Sequence, residues 1–161
     1  MRFGTPEKCI VDFLDAWFEQ NVDRLFKLCQ LFWRFNHKIN GKIWLKKLFQ
    51  NWQLKGYEIL EIIPYKEDKN IEVEKPNPIT NENEKVNIKI DKNAIIDIKV
   101  KLDLFYPLTK KVKIATSTVR LMKEKFDNNK IVNSPMGDWG VNPISLLRIE
   151  ETDAAAVNNH N

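Results

Sequence analysis

Three sets of side chains in this sequence are of types that do chemistry. The first is Thr116, Thr118 and Arg120, at alternate positions of a strand-like segment. If Lys111 and Lys113 face water, then Val112, Ile114, Thr116, Thr118 and Arg120 face inward, because strand side chains alternate. That row would set a few convergent polar groups in an apolar wall, as ligand pockets do, and Arg suits a carboxylate or phosphate. The other register, reached through a β-bulge, turns Val119 and Leu121 inward and Arg120 to solvent. It is favoured, because an unpaired buried Arg is costly.

The second set is carboxylates. Asp97 and Asp103 share a face with Lys99 and Lys101, which reads as solvated charge rather than a pocket acid, so no catalytic residue is assigned. The third set is the possible metal ligands and nucleophiles. His37 and His160 have no Cys or acid at ligand spacing, so no metal is expected, and His37 reads as a helix-end residue. Cys9 and Cys29 fall in apolar helical patterns, where a free thiol acts as a small hydrophobe. A reduced, cytoplasmic setting is the economical one. Ser117, Ser134 and Ser145 lie in no nucleophile elbow. Gly137-Asp138-Trp139-Gly140 is too short to cradle phosphate and reads as a turn. No cofactor is implied.

The elements that must position these residues follow from periodicity. Thr5-Pro6-Glu7 starts a helix: Thr5 is the N-cap and Pro6 sits at the first helical position. Cys9, Ile10, Phe13, Leu14, Trp17 and Phe18 form its apolar stripe. Asn21 caps a second helix running to about Asn36-His37. A third carries Ile43, Trp44, Leu48, Phe49 and Trp52. A first strand spans residues 57–63, residues 66–85 form a long Pro/Asn-rich loop or ragged edge hairpin, and Val86, Ile88 and Ile90 suggest a short strand. From Ile96 to Tyr106 the alternation is nearly pure, with one face buried and one wet. A return strand covers 111–123, Asp127-Asn128-Asn129 is a turn, and a last strand covers 139–149. Trp139 is expected to pack against the helices, and Arg148 to serve a structural charge pair. Helices first and strands after predict an α+β class, with three N-terminal helices packed on one curved, mostly antiparallel sheet. Residues 1–152 are expected to form one domain, and 153–161 a mobile tail.

Composition bounds the partners. The chain has 161 residues, 43% hydrophobic and 30% charged, with net charge +4. Lysines are spread along it and interleaved with acids, which argues against a nucleic-acid binder. No apolar run is long enough to cross a membrane, and the N-terminal residues lack the apolar region of a signal peptide. Abundant Lys, Asn and Ile suit an AT-rich genome, of a low-GC bacterium or its virus.

Phe13-Leu14-Asp15-Ala16-Trp17, then Asn21-Val22-Asp23-Arg24-Leu25, then Trp33, resembles the opening helices of the nuclear transport factor 2-like superfamily. Residues 138–148, from Asp138-Trp139-Gly140 to Leu147-Arg148, are similar to the end of uncharacterised bacterial members. The resemblance implies a cystatin-like α+β cone enclosing a pocket, over roughly residues 5 to 150 by motif order. The expected function is a non-catalytic domain that binds a small apolar or anionic ligand, or a protein partner. Its candidate pocket residues are Trp17, Trp33, Tyr57, Thr116, Thr118 and Arg120. Two alternatives stand beside it: a small isomerase- or dehydratase-type enzyme acting on an apolar substrate, and a structural subunit of a larger assembly such as a virion or secretion apparatus. An acid beside an aromatic hydroxyl in the cone would favour the enzyme, and a filled cone a scaffold. The charged outer face of the 95–106 strand predicts a monomer or weak dimer.

Overall fold

A computed structural model describes residues 4–147 and 149–151. Arg148 and the 153–161 tail lie outside the described residues. The chain is α+β, with helices preceding a mostly antiparallel sheet. Helix α1 (Pro6–Phe18) begins where expected, with Lys8 N–H donating to Thr5 Oγ1 at 3.2 Å. Asn21 caps the next helix through Arg24 N–H.

The second helix of the sequence reading is in fact two, α2 (Val22–Leu28) and α3 (Leu31–Asn36), giving four helices with α4 (Gly41–Asn51). The break is tertiary. At Cys29–Gln30 the backbone turns extended and bridges in parallel to Val141, with Gln30 N–H donating to the Val141 carbonyl at 2.9 Å. Helix propensity in this run gives no hint of a strand partner over a hundred residues away.

The main sheet has strands β1 (Gln53–Pro64), β4 (Ile95–Tyr106), β5 (Lys111–Asp127) and β6 (Lys130–Asn133) in that order, while β7 (Asp138–Val141) and β8 (Ile149–Glu151) also pair with β5. β6 is absent from the sequence reading, although its turn is the one expected: Asn128 and Asn129 take positive φ, as a tight hairpin requires. The expected last strand divides into β7, a 3-10 turn at Pro143–Leu147 and β8. Residues 66–85 are not a free loop. Most belong to a separate two-stranded sheet, β2 (Lys69–Pro76) with β3 (Asn83–Ile90).

The inner face of β4 is Ile96, Ile98, Val100, Leu102 and Leu104, all buried, as the alternation predicts. Phe13, Leu14 and Trp17 of α1 belong to the same core and are fully buried. Ile90, Ile95 and Met122 form a second small cluster with Tyr65, Ile71 and Ile88, which ties the β2–β3 hairpin to the main sheet. Trp139 is half-buried against the main core. Gly137 and Gly140 do not make room for its ring, however. A Cβ at either would strike backbone, that of Glu124 or of Cys29–Gln30.

Candidate functional site

Register decides what each expected site residue can do. β4 and β5 pair without a bulge: Ile98 lies opposite Val119, Val100 opposite Ser117 and Leu102 opposite Ala115. Directly opposite residues share a sheet face, so Ala115, Ser117, Val119 and Leu121 line the core. Thr116 and Thr118 lie on the outer face, opposite Lys101 and Lys99. The inward side is therefore that of the favoured register, but no bulge produces it. The four-residue turn after Tyr106 already places Lys111 and Lys113 on the inner parity. At that strand end Lys111 is exposed, and the Lys113 ammonium sits 5.2 Å from the Tyr106 ring centre. A lysine marks the outer face only where the inner one is covered.

The other expected site residues are not gathered either. Trp17 is wholly buried, and its indole N–H donates to the Trp52 carbonyl at 3.0 Å. Trp33 is buried between the Phe26, His37 and Trp44 rings, and its indole N–H has no protein partner. Tyr57, on β1, donates its hydroxyl to Asp15 of α1 at 2.8 Å. Burial and this bond push its phenol up to about 12.

Arg120 is neither a pocket group nor solvated. Its Nε donates to Asp97 Oδ1 at 3.1 Å and its Nη2 to the Tyr65 hydroxyl at 2.8 Å, while Tyr65 donates to Asp97 Oδ2 at 2.7 Å. Both members of the ion pair are 15% exposed, which corrects the reading of Asp97 as a solvated charge. Burial is the largest single influence and works against the guanidinium's charge, but the bonds and charges of Asp97 and Tyr65 together outweigh it and hold the pKa above the ordinary value. Burial and Asp97 also raise the Tyr65 phenol, against a smaller opposing pull from Arg120. With both Asp97 oxygens engaged, this acid–hydroxyl pair is a clip joining the end of β1 to β4 and β5. It has no free base for proton abstraction.

Glu124 has the sharpest carboxylate chemistry and was missed by the sequence reading. It is 7% exposed on β5. Its Oε1 accepts the Phe32 N–H at 3.0 Å and its Oε2 the Gln30 side-chain amide at 3.0 Å. Burial raises its pKa, and the two N–H donors only partly offset this. It thus meets donors that the start of α3 leaves unsatisfied. It borders a cleft of about 210 Å³ lined by Leu31, Arg34, Phe126, Asp138 and Trp139 among others. Cys29 reaches the same cleft, but burial pushes its thiol far above the ordinary range, so it is no nucleophile. Only the pairing of β5 with β7, which threads Gln30 past Gly140, brings these residues together.

Among the described residues no group of three or more His, Cys, Asp or Glu is placed to hold a metal, and no helix is long and apolar enough to cross a membrane. No protein-family model, curated protein or solved structure matches the chain.

Proposed function

We propose that this chain is a non-catalytic α+β module of the nuclear transport factor 2-like kind that binds a protein partner on its surface. The observation that carries the reading is the filled interior. Where a ligand-binding cone would be open, α1 packs Phe13, Leu14 and Trp17, each 0% exposed, into the same core as the buried inner rows of β4 and β5. The acid–hydroxyl pairs, Asp15–Tyr57 and Asp97–Tyr65, are spent on holding strands and helix together.

The cleft beside Glu124 supports a protein as the occupant. It combines Trp139, Arg34 and Phe126 with Asp138 and Lys125, and Trp and Arg are the residues that most often anchor protein interfaces. Its volume of about 210 Å³ is below the usual range for small-molecule sites, roughly 300–1,000 Å³.

Two measurements test the proposal. Thermal unfolding in the presence of steroids, fatty acids and anilinonaphthalene sulfonate should show no saturable rise in midpoint, whereas a stoichiometric, saturable rise would overturn it. Peptides selected from a random library on the immobilised chain should lose binding when Arg34 or the exposed Phe126 is replaced by Ser. Indifference to both replacements removes the cleft as the docking site.

A further inference from the structure

The charge of this chain is segregated in a way its total conceals. From Arg24 to Tyr57 there are eight Lys and Arg residues and no Asp or Glu, while the rest of the chain holds 18 basic side chains against 22 acidic. The interleaving of lysines with acids therefore fails over this stretch, which comprises α3, α4, most of α2 and the start of β1.

The fold turns that segment into a surface. On α4, Gly41, Leu45, Leu48 and Phe49 are buried, and Lys42, Ile43, Lys46 and Lys47 are exposed. The turn before it, residues 37–40, is wholly exposed. Four large apolar side chains stand out of this stretch: Ile39 is 84% exposed, Ile43 55%, Phe32 50% and Phe35 47%. Phe35 meets the exposed Phe126 ring edge-on at 6.3 Å, and the Lys38 ammonium lies 4.2 Å from the Phe35 ring centre. The result is an exposed stretch of α3, the turn and α4 on which isoleucine and phenylalanine side chains stand among ammonium groups.

We infer that this α3–α4 turn docks on an anionic lipid bilayer, with Ile39 and its apolar neighbours entering the headgroup layer and the lysines meeting lipid phosphates and carboxylates. Interfacial binding needs apolar side chains to enter the headgroup layer and basic ones to meet its charge, and here both come from the exposed side of α3, α4 and their turn, since the apolar side of α4 is in the core. The two most exposed apolar side chains of this stretch, Ile39 and Ile43, have no π-face on which a nucleic-acid base could stack, and the Phe35 ring already meets Phe126 and the Lys38 ammonium. The two guanidiniums of the segment are already engaged, Arg34 with the Cys29 carbonyl and Arg24 with Asp12 and Glu19. Lys42 pairs with Asp23 at 2.9 Å, and what remains toward solvent on the turn and α4 is Lys38, Lys46 and Lys47, point charges suited to a diffuse anionic surface. A protein partner fits less well, because lysine is depleted from the centres of protein interfaces. None of the buried core residues takes part in this surface, although Arg34 and Phe126 border both it and the Glu124 cleft.

Co-sedimentation with phosphatidylcholine vesicles, with and without phosphatidylserine, tests it. The chain should bind only the phosphatidylserine vesicles, and added salt should weaken the binding. Each lysine removed from Lys38, Lys46 and Lys47 should lower partitioning roughly fivefold. Ile39→Asp should abolish it without moving the melting midpoint, because the side chain is exposed. Lys85→Ala with Lys89→Ala, on the β2–β3 hairpin, removes charge elsewhere and should leave binding intact. Absence of binding to phosphatidylserine vesicles overturns the inference. So does binding that the hairpin variant loses as fully as the Lys46/Lys47 variant, or binding to polythymidine or polyglutamate with none to vesicles. A saturable small-molecule ligand found in the interior would sink the proposed function and leave this result unchanged.

Discussion

Replacing Gly140 by Ala tests the packing that assembles the Glu124 cleft. Gly140 has no positive φ, so alanine is conformationally permitted there. By the unfolded-state argument alone the change should stabilise, by about 0.4–1 kcal/mol. The structure reverses that sign. A Cβ on Gly140 would lie 2.6 Å from Gln30 Cα, 2.8 Å from Gln30 N and 2.9 Å from the Cys29 carbonyl oxygen. All three are backbone atoms, so no rotamer change relieves the clash. The α2–α3 junction must move off β7, with an overpacking cost of about 1–3 kcal/mol. It must also stretch the bond from Gln30 N–H to the Val141 carbonyl, now 2.9 Å, for about 1 kcal/mol more. Less the ~0.4–1 kcal/mol gained through the unfolded state, the net loss is about 1–3.5 kcal/mol, which for a chain of this size lowers the melting midpoint by roughly 2–14 °C. Gly4→Ala is the control, since nothing lies within 4 Å of its added Cβ. Circular dichroism melts of the two variants against the parent decide the matter. A Gly140→Ala midpoint equal to or above the parent's would refute the close approach and, with it, the account of why α2 and α3 separate.

Two further perturbations follow from the charged groups. Glu124 has its pKa raised above the ordinary 4.5 by burial, so the folded state takes up its proton more readily than the unfolded chain. The stability this contributes is complete below the unfolded pKa and is lost as pH rises through the folded one. Glu124→Gln should therefore gain on the parent in urea unfolding between pH 4 and pH 7, whatever their offset at pH 4, and a gap that does not change with pH counts against the burial argument. Asp97→Ala strands the Arg120 guanidinium, 15% exposed, and should cost about 2–4 kcal/mol, near the range for breaking a buried pair. Asp97→Leu combined with Arg120→Met should recover most of that loss in the same assay, and a double variant as weak as the single one would contradict this.

Whatever depends on neighbours along the chain is readable in the residues themselves. Thr5 and Asn21 cap their helices because capping is a bond to an amide three residues on. The α1 stripe and the β4 alternation were legible because a helix or strand shows one repeating face to a core, and the Asn128-Asn129 turn because those residues tolerate positive φ. The α+β order followed from these.

Whatever depends on pairing between distant segments emerges once the chain is folded. Alternation in β5 says that odd and even residues differ, but only its register against β4 says which set faces the core. The lysines at its open end pointed the wrong way. Arg120 is stable where it lies because Asp97 comes from the adjacent strand and Tyr65 from beyond β1, 23 and 55 residues away. Glu124 carries no local signal at all. Its burial follows from α3 beginning at Leu31, which follows from the bridge between Cys29 and Val141. The run of basic residues from 24 to 57 was in the sequence throughout. Its meaning as a surface waited on knowing that Lys42, Ile43, Lys46 and Lys47 lie on the side of α4 turned away from the core.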